Sequence, residues 1–412
     1  MEKGVHMKLI IAKNFIDCSL EHARYRPQMG IVVEKGRIRE AAPLSELNLL
    51  LQDGSIEKTD AGDAYVMPGM IDAHLHLCFD SSANPVTALE QESSGMSLLR
   101  MAAAARTELE SGVTTVRDCG AKGLGILDLK LAAESGLADS PDIIACGPPI
   151  TITGGHCHFL GMEADSFHDV QKAVRLLCKH PVDFIKVMVS GGNMTPGSNS
   201  LINQYEKAIL EMIAYEAHSR GKLVAGHIHT TAGIANAVDA GFDTIEHCSF
   251  KDPAGKQGIS YSRELAARIA EKRISVCPAF GKAYLLPPEE GAPLPERISE
   301  WRQFQDSRFE TTRAMYEEGV NIIAGTDAGC KYSYFHEFHL TLKILHEKVG
   351  MSLEDVLLSA TSRAAQAIHA PSGGMVKAGQ KADLLFTDGN PLQDLGALGR
   401  VVHVMKNGKL VR

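Results

Sequence analysis

The sequence predicts an α/β chain: a (β/α)8 TIM barrel joined to a small β-sandwich built from both termini. Three observations predict it. Strand-like and helix-like stretches alternate through the middle of the chain, as parallel strands with crossover helices do. β-rich pieces occupy both ends. No G-x-G-x-x-G follows the first strand of the alternating region, which disfavours an open, doubly wound dinucleotide-binding sheet. The implied boundaries are 1–66 for the first sandwich piece, 67–368 for the barrel and 369–412 for the second piece.

The first piece contains "KLIIAKNFIDC" and "GIVVEKGRIREAAP", short apolar runs broken by glycine and charge. The barrel strands follow: "MIDAHLHL", "TTVRDCG", "PDIIACG", "DFIKVMVS", "LVAGHIH", "TIEHCSF", "ISVCPAF" and "NIIAGTDAG". Helical periodicity fills 95–112, 167–180, 204–221, 231–241 and 262–272. Several of these stretches close at glycine, a usual helix stop. "PPEEGAPLP" (287–295) follows the seventh strand and reads as a surface loop or a stiff lid. The last piece, "GGMVKAGQKADLLFTDGN" and "VVHVMKNGKLV", returns to β character, with "KNGK" as a hairpin turn. Domain termini often lie close together, so the two ends can share one β unit.

The composition fits an ordinary globular protein: 412 residues, 44% hydrophobic and 22% charged. A net charge of −8 offers no basic field for nucleic acid or an anionic membrane. Nine cysteines without a C-x-x-C pair argue against a disulfide framework and for a reducing compartment. Lys3, Lys8 and Lys13 interrupt the first fifteen residues, so no signal peptide is read there, and no run reaches membrane-spanning length. The expected location is cytoplasmic, with a small molecule rather than a nucleic acid or a membrane as partner.

Candidate chemistry begins at "PGMIDAHLHL" (68–77). On a strand, His74 and His76 project from one face. Two such histidines alone are a weak signal. The fourth strand adds Lys186, the fifth His227 and His229, the sixth His247 and the eighth Asp327. Each has a plain structural reading: a satisfied strand-end histidine, a snorkelling lysine, an aspartate capping a turn. Seven of them at five strand ends of one barrel, all facing one mouth, favour a metal site instead. Imidazole and carboxylate suit zinc or manganese. Lys186 fits such a set if CO2 adds to its neutral amine, since the resulting carbamate can bridge two cations.

With "GVTTVRDCG", "FIKVMVSGG", "GHIHTTAGIANAVDAGFDTIEHCSF", "AGTDAG" and "GQKADLLFTDGNPL" added, the chain resembles the metal-dependent amidohydrolase superfamily over nearly its full length. "KVMVSGG" and "TIEH" are similar to the branch of dipeptidases and carboxypeptidase-like enzymes acting on Xaa-Pro, Xaa-Arg or Xaa-Lys, with ochratoxin-hydrolysing amidases as relatives. The resemblance implies that His74, His76 and Asp327 hold the more buried of two divalent metal ions and that His227 and His247 hold the other. It implies Zn2+ first, with Mn2+ or Fe2+ as alternatives, and a CO2-derived carbamate on Lys186 bridging them. It makes Asp327 the general base and then the general acid. In "TITGGHCHFLG" (151–161), His156 or His158 would polarise the scissile carbonyl. His229 would contact a substrate carboxylate, and the "SGGNMTPGSN" loop (190–199) would wall the pocket.

The expected activity is hydrolysis of an amide bond in a dipeptide or N-acyl amino acid with a free carboxylate. Alternatives are an imidazolonepropionase-like cyclic amidase, which Lys186 disfavours, and a xenobiotic (ochratoxin-like) amide hydrolase. A silent scaffold would have no use for the full ligand set, and no G-x-S-x-G elbow supports a serine hydrolase. Arg117 and Asp118 read as an ion pair at the barrel rim; Cys119, Cys157, Cys248 and Cys330 read as packing. His336, Glu337 and His339 lie in the loop expected to set side-chain preference. A homo-oligomer is implied only by analogy with relatives.

Overall fold

One mixed sheet draws on both ends of the chain, in a computed structural model that describes residues 7–256, 258–281 and 296–412. Its N-terminal strands are β1 (Met7–Cys18), β2 (Ala23–Glu34), β3 (Arg37–Pro43), β4 (Glu57–Asp60) and β5 (Tyr65–Pro68). The parallel strands of the chain's middle are β6 (Met70–Leu75), β7 (Val113–Asp118), β8 (Asp142–Ala145), β9 (Ile150–Thr151), β10 (Met162–Glu163), β11 (Phe184–Met188), β12 (Leu223–Thr230), β13 (Thr244–Lys256) and β14 (Ser275–Cys277). The chain returns to the first sheet with β15 (Leu384–Thr387), β16 (Val401–Lys406) and β17 (Lys409–Leu410).

The mixed sheet runs β17-β16-β15-β5-β1-β2-β3, with β4 also on β1. The antiparallel pairing of β15 with β5 joins the two ends, so they form one continuous sheet where two were expected. Alternation explains why both faces are covered. Ile10 packs with Ile31, Leu384 and Phe386 on one side, while Leu9 packs with Val32, Leu47 and Ile56 on the other. The "KNGK" hairpin is present between β16 and β17. Asn407 and Gly408 both have positive φ, 49° and 74°, as a primed two-residue turn requires.

The middle strands form two parallel sheets, β6-β7-β8 and β10-β9-β11-β12-β13-β14. Seven of the eight expected runs are strands. The eighth, "NIIAGTDAG", makes only isolated parallel bridges among the described residues, Ile322 to Val276 and Ala328 to Leu75. Backbone hydrogen bonds from Ile323 to Val276 and from Ala73 to Ala324 nevertheless place it between β14 and β6. Asp327 breaks its regularity with a φ of 58°. At the other junction, Asp183 N–H donates to the Ala145 carbonyl, linking β8 to the start of β11.

The five expected helices are present as Ser94–Glu110, Phe167–Cys178, Lys207–His218, Thr231–Ala240 and Arg263–Glu271. Ser93, Ser166, Thr230 and Ser262 cap four of them through side-chain oxygens. Phe167–Cys178 buries Val170, Ala173, Val174 and Leu177, the i, i+3, i+4, i+7 stripe. Each buried valine or leucine of that kind contributes about 1.5–3 kcal/mol. Further helices include Gly125–Glu134 and Glu296–Glu317. The 287–295 loop lies outside the described residues. Among the described residues no helix is long and apolar enough to cross a membrane.

Candidate metal and catalytic site

His74 and His76, at the end of β6, turn their Nε2 atoms toward Asp327 Oδ1, each at 3.5 Å and without a hydrogen bond. Their other nitrogens are committed. His74 Nδ1 sits 2.8 Å from Glu246 Oε2, and His76 Nδ1 sits 2.9 Å from the Gly120 carbonyl oxygen. Both partners are acceptors, so Nδ1 carries the proton in each ring and the Nε2 lone pairs face the site. Asp327 is delivered by the backbone, its N–H donating to the His74 carbonyl.

A second group adjoins the first. His227, His229 and His247 bring one ring nitrogen each within 4.8 Å of one another. The ring centres of His227 and His247 are 4.5 Å apart, and those of His74 and His247 are 5.3 Å apart. A register shift between β12 and β13 and positive φ at His247, Cys248 and Phe250 turn His247 inward, as bulges do beside sites. His229 Nδ1 is engaged by Ser249 Oγ at 2.9 Å, which leaves Nε2 for a ligand.

Lys186, on β11 between Ile185 and Val187, is 1% exposed. Among the described residues it has no hydrogen-bond partner, and no carboxylate lies within ion-pair distance of it. A buried ammonium without an anion is costly. His227 Nε2 is likewise buried without a hydrogen-bond partner. Unprotonated imidazoles and an ionised carboxylate are donor chemistry that divalent cations take, and these residues fit such ions.

The electrostatics agree. Burial, helped by the Lys186 charge, holds His74 down at about 4. Burial also works against the charge on Asp327, but His74 and His76 overcome it and keep its carboxyl below the usual range. For Glu246 burial is likewise outweighed, by Arg117 and the His74 hydrogen bond, so this carboxyl too stays low.

The loop after β9 places its two histidines differently. His156 is buried, with its ring centre 4.4 Å from that of His227. His158 is exposed and its ring lies against Phe159, so it is not brought into the site. The 190–199 loop packs over His156. A Cβ at Gly192 would stand 2.4 Å from the imidazole, and Thr195 Oγ1 is 3.3 Å from Nδ1. Burial holds His156 at about 4, so it is neutral near pH 7.

A family model, the amidohydrolase family, matches residues 65–411. The chain belongs to the amidohydrolase family. Ochratoxinase from Aspergillus niger is 26% identical over 383 residues, covering 84% of this chain and 75% of that protein. Imidazolonepropionase from Symbiobacterium thermophilum is 23% identical over 421 residues, covering 95% and 92%. The crystal structure of a Xaa-Pro dipeptidase with methionine bound in its active site matches with a TM-score of 0.83 and 25% identity, covering 98% of this chain and 100% of that one. This amidohydrolase is therefore an enzyme, a hydrolase acting on amide bonds.

Several residues of the amidohydrolase site were not anticipated. Glu246 is fully buried and receives hydrogen bonds from Arg117 Nη2 (2.7 Å) and Thr244 Oγ1 (2.7 Å) besides His74. A carboxylate inside the apolar run "TIEHC" was the signal, since it needs a buried partner. Arg117 is that partner, so the expected Arg117–Asp118 pair does not form. Consecutive strand residues face opposite ways, and Asp118 instead accepts from the Leu77 and Gly120 amides. Asp72 ties β6 to the irregular eighth segment by accepting from Thr326 Oγ1 (2.5 Å) and the Thr326 amide (3.2 Å). Cys119 and Cys248 are packing residues, but the Cys330 thiol donates to Asp327 Oδ1 at 3.4 Å and Cys157 touches His156. His336 is exposed, with its ring nitrogen 3.7 Å from the mostly buried Glu337 carboxylate. His339 packs under Gly399.

Proposed function

We propose that this amidohydrolase cleaves the amide bond of a dipeptide or N-acyl amino acid carrying a free carboxylate, using two divalent metal ions that Lys186, as a carbamate, would help to hold. The observation that carries the reading is the unpartnered, buried Lys186 amid His74, His76, His227, His247 and Asp327. We read the parallel strands and the 321–328 segment as a closed (β/α)8 barrel over 67–368, anchored by the terminal sheet of 1–66 and 369–412. His74, His76 and Asp327 would hold one ion, His227 and His247 the other, and zinc suits this nitrogen and oxygen set. The ions, when bound, lower the pKa of water toward neutrality and polarise a carbonyl.

The chain's own residues do the rest. Asp327, ionised, accepts a proton at a carboxylate oxygen and then returns it to the leaving nitrogen. His156, neutral, directs an N–H at the carbonyl oxygen as charge develops there. Glu246 and the Gly120 carbonyl keep the protons of His74 and His76 on Nδ1. The methionine in the dipeptidase's active site supports an amino acid as part of the substrate. The ochratoxinase likeness keeps a xenobiotic amide as the second reading; Lys186 disfavours imidazolonepropionase chemistry. Nine free thiols and no disulfide among the described residues suit a cytoplasmic setting.

The test is a panel of N-acyl amino acids and dipeptides assayed with wild type and Asp327→Asn. The variant is expected to fold and to lose about 10³-fold or more in kcat, within the range that general acid–base groups supply. A near-normal rate would remove Asp327 from proton transfer.

A further inference from the structure

Past His247, β13 continues to Lys251, whose backbone pairs with Thr230 at the end of β12, next to His229. Lys251 Nζ donates to Ser200 Oγ at 2.8 Å, just beyond the pocket-wall loop. It also stands 4.4 Å over the ring of Phe304. Among the described residues, no carboxylate comes within ion-pair distance of it. Arg308, 5% exposed, lies on the same helix as Phe304, with its guanidinium 4.8 Å over the ring of Phe280 and a hydrogen bond to the Pro278 carbonyl.

The two cations and the candidate centre share one field. The Lys251 charge bears on His229, and the Arg308 charge bears on Lys251, His229 and His247. Burial, then Arg308, brings Lys251 down to about 8, so it is still mostly charged at pH 7. Serine and aromatic rings soften a lysine's loss of water without neutralising it. Like charges that share one field favour an anion between them.

We propose that Lys251, reinforced by Arg308 and adjoining His229, seats the free carboxylate of the substrate's amino-acid part. Lys251 is thus a specificity-determining residue that selects amides bearing one carboxylate over amides lacking it. The proposal rests on the amide-hydrolase reading of the same site.

The experiment compares metal-loaded wild type with Lys251→Met and Lys251→Arg. The substrates are N-acetyl-L-phenylalanine, N-acetyl-L-leucine and N-acetyl-L-proline, each paired with the N-acetyl amine that lacks the carboxylate. Binding of the same compounds is measured by calorimetry. Loss of one charge-assisted hydrogen bond predicts a KM and Kd for the carboxylates raised about 10- to 100-fold in Lys251→Met. Its kcat should stay within about 3-fold, and Lys251→Arg should recover most of the loss. The uncharged amides should not distinguish wild type from variant. If wild type hydrolyses nothing yet Lys251→Met loses carboxylate binding alone, the reaction reading fails and the carboxylate seat stands. An unchanged preference for carboxylates in Lys251→Met would overturn the proposal. So would an equal loss on both members of each pair in a variant that melts like wild type.

Discussion

Glu246→Gln isolates the group that orients His74. In the wild type one oxygen accepts from Arg117 Nη2 and Thr244 Oγ1, and the other accepts from His74 Nδ1, all at 2.7–2.8 Å. The amide keeps the shape but has only one acceptor oxygen. Facing its NH2 toward Arg117 would set donor against donor, so the oxygen stays with Arg117 and the NH2 turns to His74. His74 must then accept at Nδ1, which moves its proton to Nε2 and removes the lone pair that faces Asp327. Breaking a buried charge pair costs about 3–5 kcal/mol, and the retained oxygen restores about 1 kcal/mol. The expected loss is therefore about 2–4 kcal/mol, read by urea unfolding of the metal-stripped protein. Metal affinity should fall about 10- to 100-fold, read by competition with a chromophoric chelator. A variant that loses stability but binds metal as tightly as wild type would refute the claim that Glu246 sets the His74 tautomer.

His156→Asn should lower kcat about 10²- to 10³-fold without changing the melting temperature, while His158→Ala stays within about 2-fold of wild type. Equal losses in steady-state assays would mean that the loop rather than the His156 ring matters. Glu216 accepts from Arg175, Gln171 and Arg220 at 2.6–2.7 Å, and the Arg175 hydrogen bond comes first among the causes that bring its carboxyl down to about 2 from an ordinary 4.5. A depressed carboxyl stabilises fully above pH 4.5 and loses that contribution as pH falls toward 2. Glu216→Gln should thus cost about 1–2 kcal/mol at pH 7, discounted because both arginines are partly exposed. Melting curves should converge with wild type near pH 2, and a pH-independent gap would contradict the assignment.

Regular elements were legible because their signals are local. Runs such as "DFIKVMVS" bury every residue of β11, and Phe167–Cys178 shows its apolar stripe at helical spacing. The convergence of His74, His76, His227, His247 and Asp327 was legible because side chains at strand ends converge in any such arrangement of parallel strands. What sequence left open depends on long-range packing. His156 and His158 are equivalent in sequence, and only the fold of the loop, with Cys157 at φ 54° and Gly192 against the ring, buries one of them. The Arg117 partner lies 129 residues away, so proximity in sequence suggested Asp118 wrongly. The helix Gly125–Glu134 passed unnoticed because only Ile126, Leu127 and Leu129 are buried in it, too few for a clear period. The eighth segment read as a strand by composition, but Asp327 needs a left-handed backbone there.

Metal content per chain, measured by mass spectrometry on wild type and Lys186→Ala with and without a short carboxylic acid, tests the central claim most directly. Two divalent ions in wild type, loss in the variant and partial return with the acid are the predicted result, since the acid would stand in for the proposed carbamate. Full metal content in Lys186→Ala without the acid would contradict the bridging role of Lys186.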